Sequence, residues 1–142
     1  MLFRSDLAID KVLASGKRRI GFIGLSFKTG TDDLRESPLV TLAEHLIGKG
    51  MQLAIYDPEV TLSRLLGANR RYIETHLPHI GDLLSADIGD VIAKSDVLVL
   101  GLDDETTQRA LAQHCRSDQT VIDLVRVRNR ADIPASITGL CW

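Results

Sequence analysis

Short, unbroken apolar runs recur along the chain, with stretches of helical spacing between them. The runs are RRIGFIG at 18–24, QLAIYD at 52–57, DVLVLGL at 96–102 and TVIDLV at 120–125, with ITGLCW at 137–142 as a further candidate. Their hydrophobicity is continuous rather than alternating, as suits strands covered on both faces of a parallel sheet. Strands alternating with helices predict an α/β, Rossmann-like three-layer domain with a mainly parallel sheet and helices on both faces.

The best-specified helix begins at Ser37, a good N-cap, with Pro38 at the favoured first position. Leu39, Leu42, Ala43, Leu46 and Ile47 then recur on one face. Gly48 and Gly50 offer the left-handed conformation that ends helices. Further helices are expected over SADIGDVIAKS (85–95), with Ile88, Val91 and Ile92 inward, and over 104–115, carrying Leu111 and Ala112. VTLSRLLGANRRYIETHLPHI (60–80) reads as one or two short helices broken at Gly67 and Pro78, and RVRNRADIPASI (126–137) as a charged loop. At the start, Leu2, Phe3, Leu7, Ile9, Val12 and Leu13 follow a roughly helical spacing that stops at Gly16. With no neighbour to lie against, this segment reads as a linker helix over 1–16, leaving 17–142 as the main domain.

Charge excludes one class of partner. The net charge of -2, from 17 basic and 19 acidic residues, opposes nonspecific nucleic-acid binding, which needs a basic surface. The pairs Arg18–Arg19 and Arg70–Arg71 read as solvated faces. No apolar run approaches the roughly 20 residues of a membrane span. Asp6 and Asp10 interrupt the N-terminus, which does not resemble a signal peptide, so a cytoplasmic location is expected. Cys115 and Cys141 have no metal-ligand spacing and read as free thiols. His76 and His79 flank Pro78 with no third ligand nearby, so no metal site is expected. His114 and Cys115 are adjacent on a helix and face different ways, which argues against a catalytic pair. Asp123 ends a strand and could touch a ligand or cap the next turn.

The loop at 25–36 carries the candidate chemistry. It is far longer than the roughly 2–6 residues usual between a strand and a helix. It sits where ligands bind in open α/β sheets, outside the carboxyl ends of the strands. The following helix points its positive end there, and Lys28 and Arg35 add two cations. Phosphate or pyrophosphate is the ligand chemistry this implies. A dinucleotide fingerprint is absent: Gly21 and Gly24 give G-x-x-G, and Asp57 comes too late for the usual acid. A P-loop is absent as well.

The block GLSFKTGTDDLRESP (24–38) resembles the C-terminal-domain motif of the UDP-glucose/GDP-mannose dehydrogenase family, F-K-x-x-T-D-D-x-R-x-S-P. LVTLAEHLIGKG, IYDPEV, SDVLVLG, VIDLV and the final GLCW continue the likeness, from about Lys17 to Trp142. The loop block and the ending look nearest the GDP-mannose branch. The resemblance implies an NAD-dependent oxidation of a nucleotide-sugar, GDP-mannose or UDP-glucose, from C6 alcohol to carboxylate. It further implies that Phe27 and Lys28 contact the nucleotide-sugar and that Arg35 approaches NAD, held mainly by an N-terminal domain outside this chain. Arg126, in DLVR, stands where the UDP-glucose enzymes carry a substrate-contacting arginine; a surface arginine is the competing reading. Neither Cys115 nor Cys141 sits in the family's nucleophile context, so no catalytic residue is assigned. The chain is expected to be an isolated nucleotide-sugar-binding domain, inactive alone, whose partners are the N-terminal and central domains of a homo-oligomeric enzyme. A stand-alone, non-catalytic binding module is the rival from another class.

Overall fold

A computed structural model describes residues 5–25, 37–61, 71, 74–75 and 78–139. The elements follow in the order α1 (Ser5–Ala14), β1 (Arg19–Ile23), α2 (Pro38–Gly48), β2 (Gln52–Tyr56), α3 (Pro78–Leu83), α4 (Ile88–Lys94), β3 (Val97–Leu100), α5 (Glu105–His114), β4 (Thr120–Asp123) and β5 (Ser136–Gly139). A short 3-10 turn, Arg130–Asp132, precedes β5.

The five strands form one sheet of order β2-β1-β3-β4-β5, parallel throughout. Ile20 lies opposite Leu53 on one side and Val97 on the other, and Val97 opposite Thr120. The chain moves outward from β1 to β2, then returns to add β3 on β1's other side. The carboxyl ends of β1 and β3 are thus the topological switch point, where such sheets open a crevice.

Side-chain alternation divides the core into two layers. Ile20, Phe22, Val97, Val99, Ile122 and Leu124 face one way and pack with Leu39, Leu42 and Leu46 of α2. Ile23, Leu98, Leu100 and Val121 face the other and pack with Val91 and Ile92 of α4 and Leu111 of α5. All four residues of β3 are buried, which is why the apolar runs do not alternate. Each large buried side chain contributes roughly 1.5–3 kcal/mol.

The structure refines several expectations. Strand boundaries contract by one or two residues, and β5 begins at Ser136. In α2 the predicted face is buried, with Ile47 half-buried at its edge. The helix ends through Gly50, at φ 83, whose N–H donates to the Ile47 carbonyl, while Met51 N–H reaches Leu46. Gly48 is simply the last helical residue. In α5 the inward positions are Thr107, Ala110 and Leu111, and Ala112 is exposed. The charged loop at 126–137 is anchored by Val127, Ile133 and Ala135, all buried. The expected break at Gly67, together with His76, Cys141 and Arg70, lies outside the described residues.

The first helix does find a partner. Ala8 and Val12, one helical turn apart, are wholly buried in the same core as α2. Sequence spacing named Val12 but also the larger Leu13, which is 39% exposed, and did not name Ala8. The small Ala8 allows close approach to α2, an effect invisible to a count of large apolar residues. Among the described residues, no helix is long and apolar enough to cross a membrane.

Val12→Ala should therefore lower unfolding free energy by about 2 kcal/mol, read by urea denaturation. Leu13→Ala should change it by less than about 0.5 kcal/mol. Equal effects would contradict the packing of α1.

Candidate functional site

A parallel sheet delivers every strand's carboxyl end to one edge, and buried polar backbone there needs partners. Gly24 and Leu25 leave β1 at the switch point. Gly24 has φ 94, and a side chain on it would press into Leu102 and the Gly101 backbone. A side chain on Gly101 would in turn meet Leu39 and the Gly24 carbonyl. Two backbones therefore pass at glycine-only distance at the switch point.

Leu25 is then held on both sides of its residue. Its N–H donates to Asp57 Oδ2 at 2.8 Å. Its carbonyl accepts from Ser37 Oγ at 2.6 Å. Leu25, Ser37 and Asp57 are all buried. Asp57 Oδ1 also accepts from Glu59 N–H at 3.1 Å and Val60 N–H at 3.2 Å, closing the turn after β2. The 26–36 segment therefore leaves and re-enters the fold at one hydrogen-bonded point. Bonds to a charged acceptor contribute about 1.5–3 kcal/mol each. Ser37 occupies the predicted N-cap position with extended backbone, but its hydroxyl makes no cap bond. It donates to Leu25 instead, because closing the loop satisfies a buried carbonyl. Phe27, Lys28 and Arg35 lie outside the described residues; the structure fixes the points from which their segment departs and returns.

Beyond β4, the Asp123 carboxylate lies fully buried and accepts three backbone N–H groups: Val125 at 3.0 Å, Arg126 at 2.9 Å and Val127 at 2.9 Å. Of the two roles expected for Asp123, turn capping is the one seen. Arg126, at φ 60, is the one non-glycine residue with positive φ among the described residues, and it is exposed. That conformation costs roughly 1–2 kcal/mol. From the other side, Asp103 accepts Arg128 N–H at 3.3 Å and Gln108 Nε2 at 2.9 Å, and Asn129 Nδ2 donates to the Gln108 carbonyl at 2.7 Å. Asp104 caps α5 through Thr107 N–H at 2.8 Å. Tyr56 is buried at the end of β2; burial, then the charges of Asp104 and Asp57, push its phenol up, so it stays protonated at neutral pH.

The acids of this edge thus hold loops in place. The described residues do not fit a dinucleotide site of the usual kind: Asp57, the acid that follows β2, is buried against three N–H groups. The opposite, amino edge holds an open cavity of about 270 Å³, lined by Arg19, Ile20, Gln52, Leu53, Ala54, Lys94 and Ser95. Its cations are already engaged. Arg19 grips Asp96 with two bonds of 2.9 and 3.0 Å, and Lys94 pairs with Asp90 at 2.9 Å. The Arg19 hydrogen bond holds the Asp96 carboxyl below its ordinary range. Arg19 is exposed, as expected of a solvated face, and adds a surface ion pair with Asp96. The carboxyl edge, where the chain leaves at Leu25 and returns at Ser37, is therefore the candidate site.

Cys115 is buried, and burial pushes its thiol up to about 11, with Arg116 opposing. His114 beside it is exposed. No group of three metal-ligating side chains occurs among the described residues. The sequence reading missed the Leu25–Asp57 bond and the Asp103 brace. An acid just past a strand run was their only signal.

The family model described as "UDP-glucose/GDP-mannose dehydrogenase family, UDP binding domain" matches residues 21–130. The GDP-mannose 6-dehydrogenase of Pseudomonas putida is 50% identical over 136 residues, 95% of this chain and 31% of that enzyme. A UDP-glucose 6-dehydrogenase of Glycine max is 36% identical over 64 residues, 42% of this chain and 13% of that enzyme. Among solved structures, a ternary complex of GDP-mannose dehydrogenase from Pseudomonas aeruginosa superposes with a TM-score of 0.84 at 46% identity, over 97% of this chain and 31% of that one. The chain thus spans about a third of the length of the GDP-mannose enzymes it matches.

With Cys141→Ser removing the second thiol, folded protein should resist iodoacetamide at pH 8, since a thiol titrating near 11 is almost wholly protonated there. Rapid alkylation, followed by mass spectrometry, would contradict an inert Cys115.

Proposed function

The chain belongs to the UDP-glucose/GDP-mannose dehydrogenase family, and from that membership we propose that it is the nucleotide-sugar-binding C-terminal domain of a GDP-mannose 6-dehydrogenase. The whole enzyme oxidises the sugar's C6 alcohol to a carboxylate with NAD as hydride acceptor, in the cytoplasm and as a homo-oligomer. Phe27 and Lys28 meet the nucleotide-sugar, Arg126 contacts it from the β4 side, and Arg35 reaches NAD held mainly by the N-terminal domain. Residues 1–16 connect to the central domain that carries the nucleophile. These 142 residues alone bind ligand without oxidising it.

The carrying observation is the meeting of Leu25, Asp57 and Ser37 at the switch point, beside the close approach of Gly24 and Gly101. A segment anchored at that edge supports a role for its polar side chains in meeting anionic ligands held between domains. The preference for GDP-mannose over a UDP-sugar is supported by likeness over 95% of the chain, against 42% for the soybean UDP-glucose enzyme. Arg126 favours the second reading, a UDP-glucose or other UDP-sugar 6-dehydrogenase.

Calorimetry of the chain with GDP-mannose, UDP-glucose and GDP tests the assignment. GDP-mannose should bind weakly but more tightly than UDP-glucose. Lys28→Ala should weaken it by about 1–3 kcal/mol, the worth of a charge-assisted hydrogen bond. Tighter UDP-glucose binding would select the second reading, and unchanged affinity in Lys28→Ala would remove that residue from the site.

A further inference from the structure

We propose that Asp123 is a positioning residue for Arg126: its buried carboxylate holds the turn after β4 in the left-handed conformation from which Arg126 meets the phosphates of a nucleotide-sugar. The inference rests on the assignment of Arg126 as a ligand contact given above.

A strained residue persists where its surroundings over-determine it. Here they do so from two directions. Asp123 takes the N–H groups of Val125, Arg126 and Val127, at 3.0, 2.9 and 2.9 Å. Val127, next in the chain, is buried, so the turn cannot swing as a unit. On the far side, Asp103 receives Arg128 N–H at 3.3 Å and its side chain at 3.5 Å, and Asn129 is tied to Gln108. Both neighbours of the exposed Arg126 are fixed while it alone adopts φ 60.

A turn needing only closure is served by asparagine or glycine at this position, since both enter the left-handed region readily. An arginine there carries a cation on a conformation that favours glycine or asparagine, and its five donors match phosphate oxygens. The turn lies on the same sheet edge as Leu25, Gly24 and Gly101, beside β3. The carboxylate therefore acts on the ligand through the direction it gives Arg126.

A double-mutant cycle separates positioning from plain structural support. Affinity for GDP-mannose is measured by NMR titration for the 142-residue chain, Asp123→Asn, Arg126→Asn and the double variant. Asparagine at 126 tolerates the turn and removes the cation. Asp123→Asn should weaken binding about fivefold with Arg126 present and less than about 1.5-fold without it, the coupling expected of residues acting as one unit. Its thermal destabilisation should be the same in both backgrounds. Equal weakening in both, or none in either, overturns the proposal. If Arg126→Asn leaves affinity unchanged while Lys28→Ala lowers it, the positioning role falls and the nucleotide-sugar assignment stands. If neither matters, or the chain binds neither GDP-mannose nor UDP-glucose, both fall. Should Asp123→Asn not fold, Asp123→Ser, which keeps one acceptor, carries the same cycle.

Discussion

The peptide groups flanking Leu25 are the constraint on which this molecule turns. Asp57 takes the N–H, Ser37 holds the carbonyl, and all three residues are shielded from water. An unmade bond at such a place costs about 1–3 kcal/mol, more for a charged group. β1, β2 and α2 are therefore locked together where the chain departs into the 26–36 segment and returns from it. The same bonds that complete the fold fix the two ends of the polar segment.

The division of labour by charge follows from the parallel sheet. All strand ends lie on one edge, and the N–H groups of the turns leaving them need acceptors in a crowded space. Asp57, Asp103, Asp104 and Asp123 supply these acceptors. An edge that satisfies its own donors with carboxylates needs cations to welcome an anionic ligand. Of the cationic candidates, Lys28 and Arg35 fall in sequence between β1 and α2, and Arg126 lies in the turn after β4. At the amino edge charge behaves differently. Arg19, Asp96, Arg116 and Asp118 pair with one another near solvent, where each such pair contributes about 0–1 kcal/mol.

Much of the architecture was legible because its cause is local. Continuous apolar runs follow from burial on both faces, and the face of α2 from helical spacing. Less legible were features set by partners distant in sequence. Ser37 looks like an N-cap, yet its hydroxyl turns to a residue twelve positions back. Ala8 looks too small to anchor a helix, yet it lets α1 approach α2. Asp123 offered two roles that spacing alone could not divide. Arg126 gave no sign of its left-handed backbone, because that state comes from bonds made around it. The block at 24–38 revealed the family, while Phe27, Lys28 and Arg35 fall outside the described residues and keep their roles as proposals.

Mapping of amide shifts on 15N-labelled protein during addition of GDP-mannose tests the central claim most directly, since it reads both sheet edges at once. Saturable shifts are expected at Gly24, Leu25, Ser37, Gly101, Leu102 and Arg126, all along the carboxyl edge. Shifts confined instead to Arg19, Gln52, Leu53, Lys94 and Ser95, around the cavity at the amino edge, would contradict it.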